Sequence, residues 1–415
     1  MFFLLYKYYL SLKMKKIFNV LLLSFLIFSL NGFTQEIDSL VFKTDRLLEF
    51  GIKSEAYPGA QVLIFKNDTI RLNKTYGFQT YDSLVPIEKH HLYDLASVTK
   101  ILASTLAFMK LYELYNLDLD QKVATYVPSL KRSNKKNSSL REVLSHSGGW
   151  EPYIAHQNLV FNKRGRFKTR TISYKQNKKF PLQISDSLFI HKKYFKKIYR
   201  RIRKTKLNNL GEYRYSGLWF FLLPEITKQL SGSSFSEFLQ TYFYTPLKTE
   251  RLGFLPSKKY SKSEIVPTEN DSVFRKQLVQ GWVHDEAAAM MGGISGNAGL
   301  FSNAASLKPL LQMLLQNGNY NGKQYLKPET IKKFTQRSYP NSNNRRGLGF
   351  DKPSIDPESN YPSLLASPSS YGHSGFTGTF IWVDPTNKCF LIFLSNRVYP
   401  SRNQRKLYSL DIRGK

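Results

Sequence analysis

Two stretches of strand-like sequence, one near each end of the chain, constrain the fold more than any other feature. Residues 59–65 and 69–72 flank the turn residues Asn67 and Asp68, and residues 379–383 and 388–394 flank a turn at 384–387. Each pair predicts a β-hairpin. Between them, apolar residues follow helical spacing at 97–115, 218–230, 234–243 and 306–316. The pattern predicts an α/β (α+β) fold with one antiparallel sheet built from both chain ends, flanking helices and an inserted, mostly helical subdomain.

The first 34 residues predict a targeting segment that is not part of this fold. Met14, Lys15 and Lys16 precede an apolar run at residues 17–30, and small or polar residues follow it. This order is typical of a signal peptide, and the run is shorter than the roughly 20 apolar residues of a membrane span. Residues 1–13 are also apolar, so an uncleaved N-terminal anchor is the alternative. We therefore expect an exported protein, either periplasmic or associated with the cell envelope.

The charge of the chain is strongly positive and unevenly distributed. The formal net charge is +31, and residues 162–206 contain seventeen Lys or Arg residues and one acid, Asp186. Such a segment favours an anionic membrane or wall polymer as partner, and its alternative role is to keep the surface soluble. Within it, Tyr194, Ile198 and Ile202 follow helical spacing among basic residues in a predicted helix at 189–204. That helix either lies on a membrane surface or packs on its own protein. Nucleic acid is not an expected partner of an exported protein, and the sequence leaves the oligomeric state open.

A Ser-x-x-Lys pair, Ser97 and Lys100, opens the first apolar helix. Positions three apart share a helical face, so these two side chains can meet. The amino end of a helix favours negative charge developing on the serine. A partly desolvated lysine loses its proton more easily and can then activate a hydroxyl. The pair predicts a nucleophile and its base, although the same spacing also occurs by chance.

Two later segments carry groups suited to acyl transfer. Tyr215, within residues 213–217, could pass a proton to a leaving group, and its alternative role is ordinary aromatic packing. Residues 371–379 lead directly into a predicted strand, and their glycines permit a close backbone approach. An amide at this edge could point into an oxyanion hole, with His373 as a titratable group at the same rim. The alternative is a glycine-rich turn with a satisfied histidine.

Taken in order, these three elements resemble the signature motifs of serine β-lactamases and penicillin-binding proteins. Those motifs are Ser-x-x-Lys, Tyr-x-Asn, and Lys-Thr-Gly or its His-x-Gly variant. Residues 93–100 and 144–149 are similar to the class C and esterase branch. A closer similarity is to the β-lactamase-like domain found fused to bacterial β-N-acetylglucosaminidases, through residues 266–271, 274–279, 283–285, 299–302, 346–351 and 394–400. The resemblance implies a β-lactamase/transpeptidase-like fold and one serine hydrolase domain at 36–405, with a basic insertion at about 154–210.

The resemblance also assigns roles to the residues that match the motifs. Ser97 would be the acylated nucleophile, Lys100 its base and Tyr215 the acid/base partner. The backbone amides of Ser97 and Phe376 would form the oxyanion hole. No cofactor is implied.

Four further residues would bind substrate: His373, Ser374, Gly375 and Gly217. His373 would stand where the family uses a lysine to bind the substrate carboxylate. Gly217 departs from the family, which has Asn or Asp there to contact the substrate amide and the lysine. The loss of one well-placed polar contact commonly costs several kcal/mol in a transition state. This departure puts efficient antibiotic hydrolysis in doubt.

The expected activity is that of a serine hydrolase of the β-lactamase, D-alanyl-D-alanine carboxypeptidase or esterase type. Its substrate would be a small molecule or a peptidoglycan-derived D-amino peptide, a β-lactam or a related ester or amide. The alternative is a slow or silent penicillin-binding-like protein that binds wall peptide. No metal is expected, because His146 and the pair His284-Asp285 lack a third ligand at metal spacing.

Overall fold

The computed structural model describes residues 1–3, 14 and 39–415. These residues form two units, 1–49 and 50–415. In the first unit residues 39–49 are helical, and the second unit contains all the strands given below. The predicted targeting segment lies outside the described residues except for residues 1–3 and 14. Within the described part of the chain, no helix has the length and apolar character needed to cross a membrane.

Fifteen strands occur in the second unit, and most of them are short. In chain order they are β1 (Gly59–Lys66), β2 (Thr69–Gly77), β3 (Tyr93–Asp94), β4 (Ile172–Ser173), β5 (Leu182–Gln183), β6 (Phe189–Ile190), β7 (Gly253–Phe254), β8 (Glu269–Asp271), β9 (Gln277–Val279), β10 (Leu300–Ser302), β11 (Asn319–Tyr320), β12 (Lys323–Gln324), β13 (Tyr371–Ser374), β14 (Phe380–Asp384) and β15 (Cys389–Ser395).

The main sheet joins the two ends of the chain, which confirms the predicted fold class. Its order is β13-β14-β15-β1-β2, and each neighbouring pair is antiparallel. Both predicted hairpins are present, and β1 pairs with β15 so that Val62 faces Phe393. Residues from both hairpins, such as Leu63, Phe65 and Ile392, are buried in a core shared with the helices. Consecutive residues of β1, β14 and β15 are buried, so both faces of the centre of this sheet are covered.

Helices fill the region between the hairpins. The α-helices between them are Leu106–Tyr115, Val123–Tyr126, Leu140–Leu144, Tyr194–Lys204, Leu223–Ser231, Phe235–Leu239, Glu286–Met290, Ala304–Leu315 and Pro328–Thr335, and a short helix, Lys406–Ser409, follows the second hairpin. Ser234 and Glu237 form a capping box at the start of one of these helices, with the serine side chain accepting from the Glu237 amide. Each of the four predicted helical stretches contains an α-helix. In three of them part of the stretch is a 3₁₀- or π-helix, and in the fourth the α-helix begins two residues earlier than predicted.

The first predicted helix differs from a continuous α-helix. Residues Ala96–Val98 form a 3₁₀ turn, Lys100–Thr105 form a π-helix, and the α-helix begins at Leu106. Within the π-helical segment, Lys100 and Ser104 donate hydrogen bonds to the carbonyls of Asn297 and Gly296. The wider π turn accommodates these contacts with a distant loop, and such turns occur frequently at functional sites.

The basic segment is a small sheet followed by one helix. Strands β4, β6 and β5 form a three-stranded antiparallel sheet, and the helix spans Tyr194–Lys204. The predicted helix at 189–204 therefore starts five residues too early, because Phe189 and Ile190 pair with neighbouring strands. Tyr194, Ile198 and Ile202 are buried. Of the two alternatives for this helix, the structure shows packing on its own protein.

Candidate active site

Ser97 and Lys100 are in direct contact. The Nζ of Lys100 lies 2.9 Å from the Oγ of Ser97 and donates a second hydrogen bond, of 3.0 Å, to the backbone carbonyl of Asn297. Lys100 is 2% exposed, whereas Ser97 is half-buried and reaches the surface of a cavity. A lysine held this way can exchange a proton with the serine hydroxyl, and the serine remains open to a substrate.

The backbone that presents Ser97 is held in an unusual conformation. Ala96 has φ +45°, in the left-handed region that non-glycine residues seldom adopt. Its amide donates to Oδ1 of Asp94 at 2.8 Å, and the hydroxyl of Thr379 donates to the Leu95 carbonyl at 2.9 Å. Gly375 permits this approach, since a Cβ there would lie 2.6 Å from the Leu95 oxygen. Backbone strain of this kind persists where the surroundings enforce it, as they do here.

Tyr215 lies beside Lys100. The Nζ of Lys100 is 5.5 Å from the centroid of the Tyr215 ring, and that ring packs 4.6 Å from His146 and 5.9 Å from His373. His146 also fixes the backbone of this segment, because its Nδ1 accepts a 3.1 Å hydrogen bond from the Ser216 amide. Burial, followed by nearby cations, lowers the pKa of His146 well below its usual range. This neutral imidazole therefore positions the tyrosine segment.

Gly217 faces the same lysine across open space. A Cβ built at Gly217 would have the Cε of Lys100 as its nearest neighbour, at 4.0 Å. The Gly217 backbone is outside the left-handed region. The position therefore accepts a Cβ without a clash, and a polar group carried there would lie near the Lys100 side chain.

His373 lies behind Tyr215 and is neutral. It is 3% exposed, and its Nδ1 donates to the carbonyl of Ser374 at 2.7 Å. Burial, together with the charges of Arg346 and Lys100, lowers its pKa to about 3. Its Nε2 has no hydrogen-bond partner among the described residues and, in this tautomer, is an acceptor. A contact between His373 and substrate stays a prediction, but a neutral ring offers no ion pair to a substrate carboxylate.

A cavity of about 500 Å³ opens in front of these groups. Five of the residues predicted for the site line it, namely Ser97, Lys100, Tyr215, Gly217 and Phe376. The amide of Phe376 has no acceptor among the backbone groups of the described residues, so it is available to a ligand. His373, Ser374 and Gly375 adjoin the cavity without lining it. The structure thus groups most of the predicted site around one opening.

One wall of the cavity is charged and was not predicted from the sequence. Glu286 and Arg402 line it, and Nη1 of Arg402 lies 2.7 Å from Oε1 of Glu286. Arg402 also binds Glu269, which contacts His284 at 2.7 Å. Burial raises the pKa of Glu269, but hydrogen bonds from His284 and Arg402 outweigh it and lower the value to about 2. No local pattern marks this wall, because Arg402 lies more than 100 residues along the chain from Glu269 and Glu286.

A second buried ionic cluster supports the floor beneath Tyr215. Asp351 is 6% exposed and accepts hydrogen bonds from Arg345 at 2.8 and 3.1 Å and from the Tyr361 hydroxyl at 2.9 Å. Arg346 pairs with the same carboxylate at 3.1 Å and lies 5.6 Å from the Tyr215 ring centroid. Burial opposes ionisation of Asp351, yet the two guanidinium groups hold its pKa far below the usual range.

The described residues contain no group of three or more His, Cys, Asp or Glu side chains arranged to hold a metal ion. The serine, the lysine, the tyrosine and the backbone amides around them suit acyl transfer. Ser97 can attack a carbonyl, Lys100 and Tyr215 can move protons, and the free amide of Phe376 can receive an oxyanion.

This chain is similar to proteins of one known family. Residues 44–413 match the family model described as Beta-lactamase. A relative from Escherichia coli (strain K12), named "Putative D-alanyl-D-alanine carboxypeptidase", is 30% identical over 368 residues, which cover 82% of this chain and 79% of the relative.

Solved structures show the same fold at low sequence identity. The octameric penicillin-binding protein homologue from Pyrococcus abyssi superposes with a TM-score of 0.64 at 21% identity, covering 89% of this chain and 76% of that one. A class C β-lactamase gives 0.61 at 16% identity and covers 89% and 92% of the two chains.

Proposed function

The chain belongs to the β-lactamase family and is a serine hydrolase of the β-lactamase and penicillin-binding-protein kind, and we propose that it works through an acyl-enzyme on Ser97. The observation that carries the proposal is the 2.9 Å contact between Lys100 Nζ and Ser97 Oγ at the edge of the cavity. Each remaining step uses a group within or next to that cavity.

The proposed reaction begins with proton transfer from the Ser97 hydroxyl to the neutral amine of Lys100. The Oγ then forms a bond to the substrate carbonyl carbon, and the amides of Ser97 and Phe376 receive the negative oxygen. Tyr215 gives a proton to the leaving group as the scissile bond breaks, and Lys100 returns its proton to the tyrosine. In the second half of the reaction, a water molecule attacks the carbonyl carbon of the ester and gives its proton to Tyr215. Tyr215 passes a proton to Lys100, and Lys100 passes one to Ser97 Oγ as the ester bond breaks, which restores the free serine.

We propose a D-amino peptide of the cell wall as the substrate class. The name of the Escherichia coli relative supports this choice, as does the family to which the chain belongs. β-Lactams and related esters present the same electrophilic carbonyl and are the other substrates to test. The apolar run at residues 17–30 supports export to the envelope, which mass measurement of the mature N-terminus in a fractionated cell would test.

Covalent labelling tests the nucleophile. Fluorescent penicillin or an active-site phosphonate should label the protein, and intact mass should rise by one adduct. Ser97→Ala should abolish the signal, whereas Ser272→Ala, at an exposed serine far along the chain, should leave it unchanged. Equal labelling of the Ser97→Ala protein would refute the assignment. A panel of D-Ala-D-Ala peptides, nitrocefin and p-nitrophenyl esters would then identify the substrate class.

Gly217 favours a second candidate function, a slow or silent protein that binds wall peptide. The space between Gly217 and Lys100 is where the family has a polar side chain, and here no side chain enters it. In this case the labelled adduct forms but persists, with no turnover of any member of the panel. Time-resolved intact mass after removal of excess label separates the two candidates.

A further inference from the structure

Residues 162–206 concentrate the positive charge of the protein. They hold 17 of the 61 Lys and Arg residues and one of the 30 acids, so about half of the net charge of +31 falls in 45 residues. Solubility depends on the net charge of the whole surface, so it does not require that the cations be clustered in one segment. The concentration points to a ligand of opposite charge.

The cations of this segment are exposed and lack acidic partners. Fifteen of the seventeen are exposed, and Arg201 and Arg203 are half-buried. None of them forms an ion pair with a carboxylate of the described residues. The one acid, Asp186, pairs with Lys262, a cation from outside the segment. The positive charge of the segment is thus uncompensated.

Contacts at the end of the helix extend this surface. Ser133 donates to the carbonyl of Arg203 at 2.7 Å, and Lys135 and Asn134 donate to the carbonyl of Thr205 at 2.5 and 3.0 Å. These bonds fix the neighbouring segment against the helix, and that segment adds the exposed cations Lys131, Arg132 and Lys136. The basic surface, defined as these three residues with the seventeen of 162–206, spans a helix and several loops.

The apolar side of the helix is not available to a membrane. Tyr194, Ile198 and Ile202 are buried, and the Arg201 guanidinium donates to the Tyr194 hydroxyl at 3.0 Å and lies 3.2 Å from Nδ1 of His156. An amphipathic helix binds a bilayer by burying its apolar face in the interface, and this face is already used. Tyr174 is the one large apolar side chain of residues 162–206 that is strongly exposed.

We propose that the basic surface binds a linear anionic polymer with repeating phosphate groups. A polymer can follow cations across a helix and several loops, whereas a bilayer contacts those of one plane. Each phosphate neutralised by a Lys or Arg releases condensed counterions, so affinity rises with the number of contacts and falls with salt. The four exposed arginines, Arg164, Arg166, Arg170 and Arg200, can add paired hydrogen bonds to phosphate oxygens.

Binding of fluorescent inorganic polyphosphate, followed by anisotropy, tests the proposal. The test variant replaces Lys192, Lys196, Arg200 and Lys204 with Gln; all four are exposed. The matched control replaces Lys66, Lys122, Lys332 and Lys333, exposed elsewhere, and so removes the same charge. We expect the test variant to weaken binding at least tenfold and the control less than threefold. Raising salt from 50 to 200 mM should weaken wild-type binding by about 10² or more.

Three outcomes would overturn the proposal. Equal weakening by the test and control variants would mean that overall charge, not this surface, binds the polymer. Tighter binding to phosphatidylglycerol vesicles than to polyphosphate would assign the surface to membranes. Salt-independent binding would exclude an electrostatic mode. Circular dichroism checks that the variants fold, and a second variant with Lys175, Lys178 and Lys179 changed to Gln tests the loops without altering the helix.

Discussion

Gly217→Asn should accelerate acylation of Ser97. In the neutral form that accepts the Ser97 proton, Lys100 has two N–H donors and one lone pair; one donor reaches Asn297 O, and the lone pair can face Ser97 Oγ. The Cβ of a residue at 217 would lie 4.0 Å from Lys100 Cε, with no closer neighbour. The amide oxygen of Asn can therefore accept from the second donor and orient the lone pair of the lysine toward the serine.

The expected increase in the acylation rate is based on the contribution of single polar groups to catalysis in other acyl-transfer enzymes. Removing one well-placed polar group from an acyl-transfer site costs about 2.7–4 kcal/mol in the transition state. An added side chain in a site that was not shaped around it recovers part of that amount. We therefore expect a 10- to 100-fold faster acylation, which corresponds to about 1.4–2.8 kcal/mol.

The matched control is Gly217→Ala. Both substitutions restrict the unfolded chain, which stabilises a protein by about 0.4–1 kcal/mol at a compatible backbone position. Only Asn adds the hydrogen-bonding group. Second-order rate constants for fluorescent penicillin, and kcat/KM for a D-Ala-D-Ala peptide, should rise for Asn and stay near wild type for Ala. Equal rates in the Asn and Ala variants would refute this explanation of the missing side chain.

Three further predictions concern the charged and titratable groups around the site. Asp351→Asn leaves the guanidinium groups of Arg345 and Arg346 without their carboxylate, so the free energy of unfolding in urea should fall by about 3–5 kcal/mol; a loss below 1 kcal/mol would contradict the role of this buried cluster. The pKa of His373 is lowered from 6.5 to about 3, so below pH 6.5 the unfolded state binds the proton first. The free energy of unfolding therefore decreases as the pH is lowered. The contribution of His373 to that decrease is about 2 kcal/mol between pH 7 and 5, and His373→Asn should make urea unfolding less pH-dependent by that amount. Tyr215→Phe keeps the ring and removes the hydroxyl, so acylation measured by stopped flow should slow by about 10²–10⁴, and a change under threefold would exclude Tyr215 as proton donor.

The features that the sequence determined are local in the chain. Both hairpins follow from apolar runs around turn-forming residues. The ends of β1, β14 and β15 lie within one residue of the predicted bounds, and β2 extends five residues further than predicted. The spacing of Ser97 and Lys100 is a local signal, because residues three apart share a face of a 3₁₀ or α-helical turn, and Ser97 lies in the 3₁₀ turn Ala96–Val98. The missing polar side chain at Gly217 was likewise visible as a departure from a short motif.

Tertiary structure decided the contacts between residues that are far apart in the chain. The Asn297 carbonyl that holds Lys100 is 197 residues away in the chain, and Arg402 reaches Glu286 across 116 residues. The neutral state of His373 comes from its burial near Arg346 and Lys100, which no periodicity encodes. Tertiary structure also decided the environment of the basic helix. The sequence left open whether the apolar face at Tyr194 contacts a membrane or packs on the protein itself, and in the structure that face is buried. Spacing specifies which residues share a face, but the folded chain decides what that face contacts, because burial and charge act through space between residues distant in sequence.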